Sequence, residues 1–261
     1  MTSNDFVFEE GDLRKIPASK LLFKELKASV RPPYWFFGGI AANLTLALLA
    51  IAWTAFTHKT FPRPGLLGVF ISGWLLADVT TTNQLGNDPE RAGYLIRGGM
   101  VPSTLLKLRN LMLFSIIAPV AVAATIIGES IAKSNHHLAS DLIIALLPFC
   151  SGLALGNLTS ALAPYKQITL KERLKDRRSW IPWMLKASLP YILSSLFLPL
   201  ILFPAYSAGL LRPHHIAKVT ALTGAVIILW SIFLGVIGSS IAFRIADSRT
   251  SKYLNTIWKE S

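Results

Sequence analysis

Apolar runs alternate with short polar, charge-bearing segments along the whole chain. A helix needs about 20 apolar residues to cross the hydrocarbon core. Six runs are of that order: Tyr34–Phe56, Gly65–Thr82, Leu111–Ala132, Asp141–Ala163, Trp183–Tyr206 and Ala217–Phe243. They predict an all-α, polytopic membrane protein with six transmembrane helices. The second run is short and the sixth long, so tilt or local thinning must absorb the difference. Pro119, Pro148, Pro190, Pro199 and Pro204 fall inside these runs, where neighbouring helices can satisfy the freed carbonyls. The fifth run, holding three of them, is predicted to kink.

Before the first run, Leu13, Ile16, Leu21, Leu22 and Leu26 interleave with lysines. This predicts an amphipathic helix from about Leu13 to Val30, lying in the headgroup layer or serving as a solvated basic anchor. Pro32–Pro33 would end it. The predicted organisation is residues 1–33 as an N-terminal segment, 34–243 as the membrane domain and 244–261 as a tail.

Composition agrees with this picture. Hydrophobic residues make up 52 %, charged residues only 15 %, and the mean hydropathy is +0.49. The net charge of +12 is explained by basic loops between spans, which weighs against nucleic-acid binding. Of the 26 Lys and Arg residues, 21 fall on the side shared by the N-terminal segment, the two long loops and the tail. Five, Lys59, Arg63, Lys133, Arg212 and Lys218, fall on the other. That bias predicts a cell (inner or plasma) membrane protein with both termini in the cytoplasm. The first thirty-three residues lack a signal-peptide core, so the first span is expected to be retained. The one cysteine, Cys150, can form no disulfide within the chain.

Candidate chemistry is sparse. Asp78 is the only acidic residue well within a predicted span; such carboxylates are functional candidates, but Thr80, Thr81, Thr82 and Asn83 beside it suit a structural role equally. The loop after the second span reads as a helix start at Asp88-Pro89-Glu90. It puts Glu90, Tyr94 and Arg97 on one side, with a stop at Gly98–Gly99. Pro102–Ser103 reads as a second helix start, leading through Leu105–Leu113 into the third span. Asp88, Glu90, Arg91, Tyr94 and Arg97 together suit a docking element or an ordinary connecting loop. Gly152, Gly156 and Ser160 lie four apart in the fourth span and suit close helix packing, within one subunit or across a dimer seam. The histidines, His58, His136, His137, His214 and His215, all fall in outer loops; without acidic or cysteine partners they make no metal site. Phosphate-loop, H-E-x-x-H, G-x-S-x-G and paired-aspartate transferase signatures are missing from the sequence.

Three segments together resemble the permease subunits of type 2 ABC exporters. An Asn-x-x-Gly-x-Asp pattern is met by Asn83, Gly86 and Asp88. Pro102 and Ser103 precede Arg109-Asn110-Leu111, where a Gly-Lys pair is usual in place of Arg109. Gly156, Asn157, Ser160, Pro164 and Tyr165 match a run at the end of the fourth span. The resemblance implies two permease subunits, identical or sister chains, resting on separate cytoplasmic ATPase subunits that bind ATP and Mg. It makes the Asp88–Arg97 loop the ATPase-coupling helix, braced by the N-terminal helix. The sparsely polar spans then suggest an amphipathic cargo such as a lipid, peptide or drug. Two other classes remain open. A vitamin-importer coupling subunit would carry paired Ala-Arg-Gly-like helices late in the chain, whereas Arg-Ala-Gly occurs here once, at 91–93. A lipid-modifying membrane enzyme would use Asp78 or the histidines, which fall on opposite sides of the membrane.

Overall fold

The computed structural model describes residues 17–30, 35–57, 64–132, 138–166, 180–186, 188–193 and 221–257. Among these, all regular structure is helical. Ala18–Ser29 (α1) and Trp35–Phe56 (α2) come first. A 3-10 turn at Pro64–Leu66 leads into Leu67–Leu76 (α3), followed by the short helices Val79–Thr82 (α4) and Gln84–Asn87 (α5). Pro89–Arg97 (α6), Pro102–Ala132 (α7) and Leu138–Leu162 (α8) follow, then Ala221–Ser248 (α9) and Thr250–Thr256 (α10).

Three helices are long and apolar enough to cross a membrane among the described residues: Pro102–Ile131, Leu138–Leu162 and Ala225–Ser248. These overlap most of the predicted third, fourth and sixth runs. The other three runs fare differently. The apolar stretches Phe37–Trp53 and Pro64–Leu76 are shorter, and most of Trp183–Tyr206 lies outside the described residues. The second run is not one helix. It breaks after Leu76, because the Asp78 carboxylate accepts from the Thr80 amide at 3.2 Å and starts a new turn. Close passage of α2 fixes the break, since a Cβ on Gly39 would strike the Thr80 hydroxyl. α7 starts at Pro102, the expected helix start, nine residues before the apolar run itself begins. α7 and α8 continue through Pro119 and Pro148.

α8 is the central staff. α9 packs along one side of it, where Gly235 lies against the Cys150 backbone and Gly238 against Ala154. α3 and α7 pack against it as well. Ile71, Leu75, Met112, Leu113, Ile117 and Phe149 form an apolar middle, where the Phe114 and Phe149 rings meet edge-on at 5.1 Å. Toward the end that carries α6, a second cluster gathers Leu21, Leu85, Leu95, Ile96, Leu105, Leu106, Ala246 and Tyr253. Residues 244–257 are therefore no loose tail. α9 runs on to Ser248, and α10 folds back so that Tyr253 and Ile257 enter this core.

Candidate functional site

α6 is built by strong local signals. Asp88 caps it, accepting from the Arg91 amide at 3.2 Å, with Pro89 in the first turn. Its end is a left-handed cap. Gly99 sits at φ 94°, the Gly99 amide donates to the Ile96 carbonyl at 3.0 Å and the Met100 amide to the Leu95 carbonyl at 3.0 Å. Met100 and Leu95 are both buried beneath that cap. Ala92, Gly93, Leu95 and Ile96 face the core, while Glu90, Tyr94 and Arg97 face outward. Arg91 departs from the predicted set. Its guanidinium turns to α1, where Nε donates to the Glu25 carboxylate at 2.7 Å. Arg91 is 15 % exposed and Glu25 only 4 %, so this is a brace and not part of the outward face.

Beneath α6 lies a polar network that joins the three motif-bearing segments. The Asn83 side chain embraces the Tyr165 backbone: Nδ2 donates to its carbonyl at 2.8 Å and Oδ1 accepts from its amide at 3.1 Å. Gly86 lies so close that a Cβ would strike the same carbonyl. The Gln84 amide donates to Ser160 Oγ at 2.7 Å, and Gln84 Nε2 donates to Asn110 at 2.9 Å and Asn157 at 3.4 Å. Asn157 reaches on to Ser239 of α9 at 3.2 Å. The Thr159 and Ser160 hydroxyls donate to the Thr82 carbonyl at 2.7 and 3.1 Å. Arg109, fully buried, donates to the Gln84 carbonyl. Hydrogen bonding of this density is what lets irregular backbone persist inside a helical bundle.

The Gly152–Gly156–Ser160 stripe faces inward, against Leu76, the Thr81 backbone and α5 respectively. These contacts all lie within the chain. Asp78 is half-buried and acts as the cap between α3 and α4. The five histidines lie outside the described residues.

Two features escaped sequence reasoning. The first is a pair of buried carboxylates at the opposite end of the bundle, Glu129 of α7 and Asp141 of α8. Both stand where a Cβ on Gly65 would be. They fall toward the ends of the third and fourth runs and so resemble ordinary interfacial acids in sequence. The second is a clamp from the α9–α10 corner. Asp247 accepts from the Ser103 amide at 2.8 Å, closing the start of α7. Arg249 donates to the Leu162 carbonyl at 3.0 Å and the Tyr253 hydroxyl donates to that of Ala161, closing the end of α8. Burial pushes the Tyr253 phenol up to about 12, with Arg249 acting against the rise.

No protein-family model matches the chain, and no curated protein or solved structure is detectably similar to it.

Proposed function

We propose that the chain is the membrane-spanning permease subunit of an ATP-driven exporter, resembling those of the type 2 ABC class. It crosses the membrane six times with both termini in the cytoplasm, pairs with a second permease subunit and carries no ATPase of its own. ATP and Mg belong to separate ATPase subunits, and the cargo is amphipathic. One observation carries the reading. A helix with strong caps at both ends, α6, presents Glu90, Tyr94 and Arg97 outward, while Arg91 bonds it to α1 and Gln84 of α5, just before it, bonds to α7 and α8. A helix held in this way can pass a push from a partner into the long helices, because packed interiors transmit displacement. Motion would arise by population shift, as ATP binding in the partner favours one arrangement of the bundle.

The test is purification of the tagged protein in mild detergent. An ATPase and a second permease copy are expected. Additional small membrane partners would favour an importer coupling subunit, and neither would favour a lipid-modifying enzyme. In the purified complex, Arg97→Glu with Tyr94→Ala should uncouple ATP hydrolysis from transport without loss of insertion. Unaltered coupling would remove α6 from the mechanism.

A further inference from the structure

α1 divides its residues between two environments. Leu21, Glu25 and Ser29 are buried, with Leu22 and Leu26 half-buried against the core. Lys20, Phe23, Lys27 and Val30 follow one another at spacings of three, four and three, and all four are exposed. Residues so spaced share one helix face. Phe23 keeps 69 % of its surface open, a large apolar group framed by two ammonium groups. Glu25 is the single acidic residue of α1 and points inward, so the outward stripe is wholly cationic and apolar. Of the apolar positions in the predicted amphipathic helix, Leu21, Leu22 and Leu26 pack in the protein, and Leu13 and Ile16 lie outside the described residues.

A stripe of this chemistry fits the headgroup layer of an anionic bilayer, with the ring among acyl carbons and the lysines at phosphates. Its placement agrees, because the apolar stretch of α2 begins at Phe37, a few residues beyond α1. The inward face of the same helix holds Glu25 against Arg91 of α6. We propose that α1 is a lever that senses anionic lipid: seating of Lys20, Phe23 and Lys27 in an anionic surface is passed to α6 through the Glu25–Arg91 pair. This needs membrane insertion but no ATPase, so it stands apart from the permease assignment.

Hydrogen exchange on the full-length protein tests it, in phosphatidylcholine vesicles with and without phosphatidylglycerol. Amides of α1 and α6 should both exchange more slowly with phosphatidylglycerol present. Lys20→Gln with Lys27→Gln should remove both effects, each lysine contributing about fivefold. Glu25→Gln should keep the α1 response and lose that of α6. If Glu25→Gln disturbs α1 itself, Arg91→Gln, losing the α6 response, against Arg91→Lys, retaining it, makes the same comparison. Equal α1 exchange in both lipids overturns the lipid surface. Protection by polyglutamate in neutral vesicles, matching that of phosphatidylglycerol, would assign the stripe to an acidic protein instead. An α6 response that survives both Glu25→Gln and Arg91→Gln overturns the link.

Discussion

The two ends of the bundle bury polar groups by different means. At the α6 end, amide and hydroxyl side chains bond to backbone of another segment, as Asn83 does with Tyr165 and Ser160 with Gln84 and Thr82. At the far end two carboxylates, Glu129 and Asp141, crowd the turn at Gly65. The first arrangement fixes where one backbone lies against another. The second gathers side-chain ends that can rotate, so it tolerates adjustment.

Glycine replacement exposes that difference most strongly. Gly86→Ala drives a methyl into the Tyr165 carbonyl, a backbone atom that moves only with its segment. A loss of about 3 kcal/mol is expected, read as thermal unfolding in detergent. Gly65→Ala meets only the two carboxylates and should cost about 1 kcal/mol; equal losses at the two sites would erase the contrast. Between these falls Asn83→Ala, which removes one hydrogen bond each from the amide and carbonyl of Tyr165, for about 2 kcal/mol. Asn83→Asp keeps the acceptor alone, and a stability equal to wild type would show that the amide pairing contributes nothing.

At the clamp the expected change is as small as at Gly65. Tyr253→Phe removes one hydrogen bond to Ala161, costing about 1 kcal/mol near neutral pH. Its pH dependence is more telling. The folded phenol titrates near 12 against an ordinary value of 10.0, so the folded state holds the proton more tightly. The stabilisation is complete below pH 10 and is lost as pH rises from there toward 12. Unfolding followed across that window should show a fall that Tyr253→Phe lacks; parallel curves would contradict the burial of the hydroxyl.

Much of the α6 end was legible because its signals are local. Asp88-Pro89 and Gly98–Gly99 act within one turn of themselves, and they set the bounds of α6 nearly to the residue. The inward turn of Arg91 was not legible, since its partner Glu25 lies 66 residues away. Helical spacing places Arg91 at the border of the two faces and cannot choose between them. The break after Leu76 was hidden for a similar reason. Hydropathy continues through Val79, and only the hydrogen bond from the Thr80 amide to Asp78 and the approach of Gly39 stop the helix. The start of α7 was legible in Pro102–Ser103 and not in hydropathy, because Lys107 and Arg109 interrupt the apolar run without interrupting the helix. Lys107 lies 5.2 Å from the Phe243 ring and Arg109 binds the Gln84 carbonyl, so both cations are accommodated. Hydropathy predicts six membrane-length helices, and three are found among the described residues; the network that organises their ends required contacts between segments far apart in sequence.

The clamp also imposes an order on assembly. Asp247 is made 144 residues after Ser103, and Tyr253 is made 92 residues after Ala161. As the chain emerges, α7 and α8 are complete long before the groups that close their ends. Until then their terminal amides and carbonyls must be met by water or headgroups at the membrane edge. Biogenesis therefore passes through a bundle whose two middle helices are inserted but unfastened, and the late corner converts it into the finished protein.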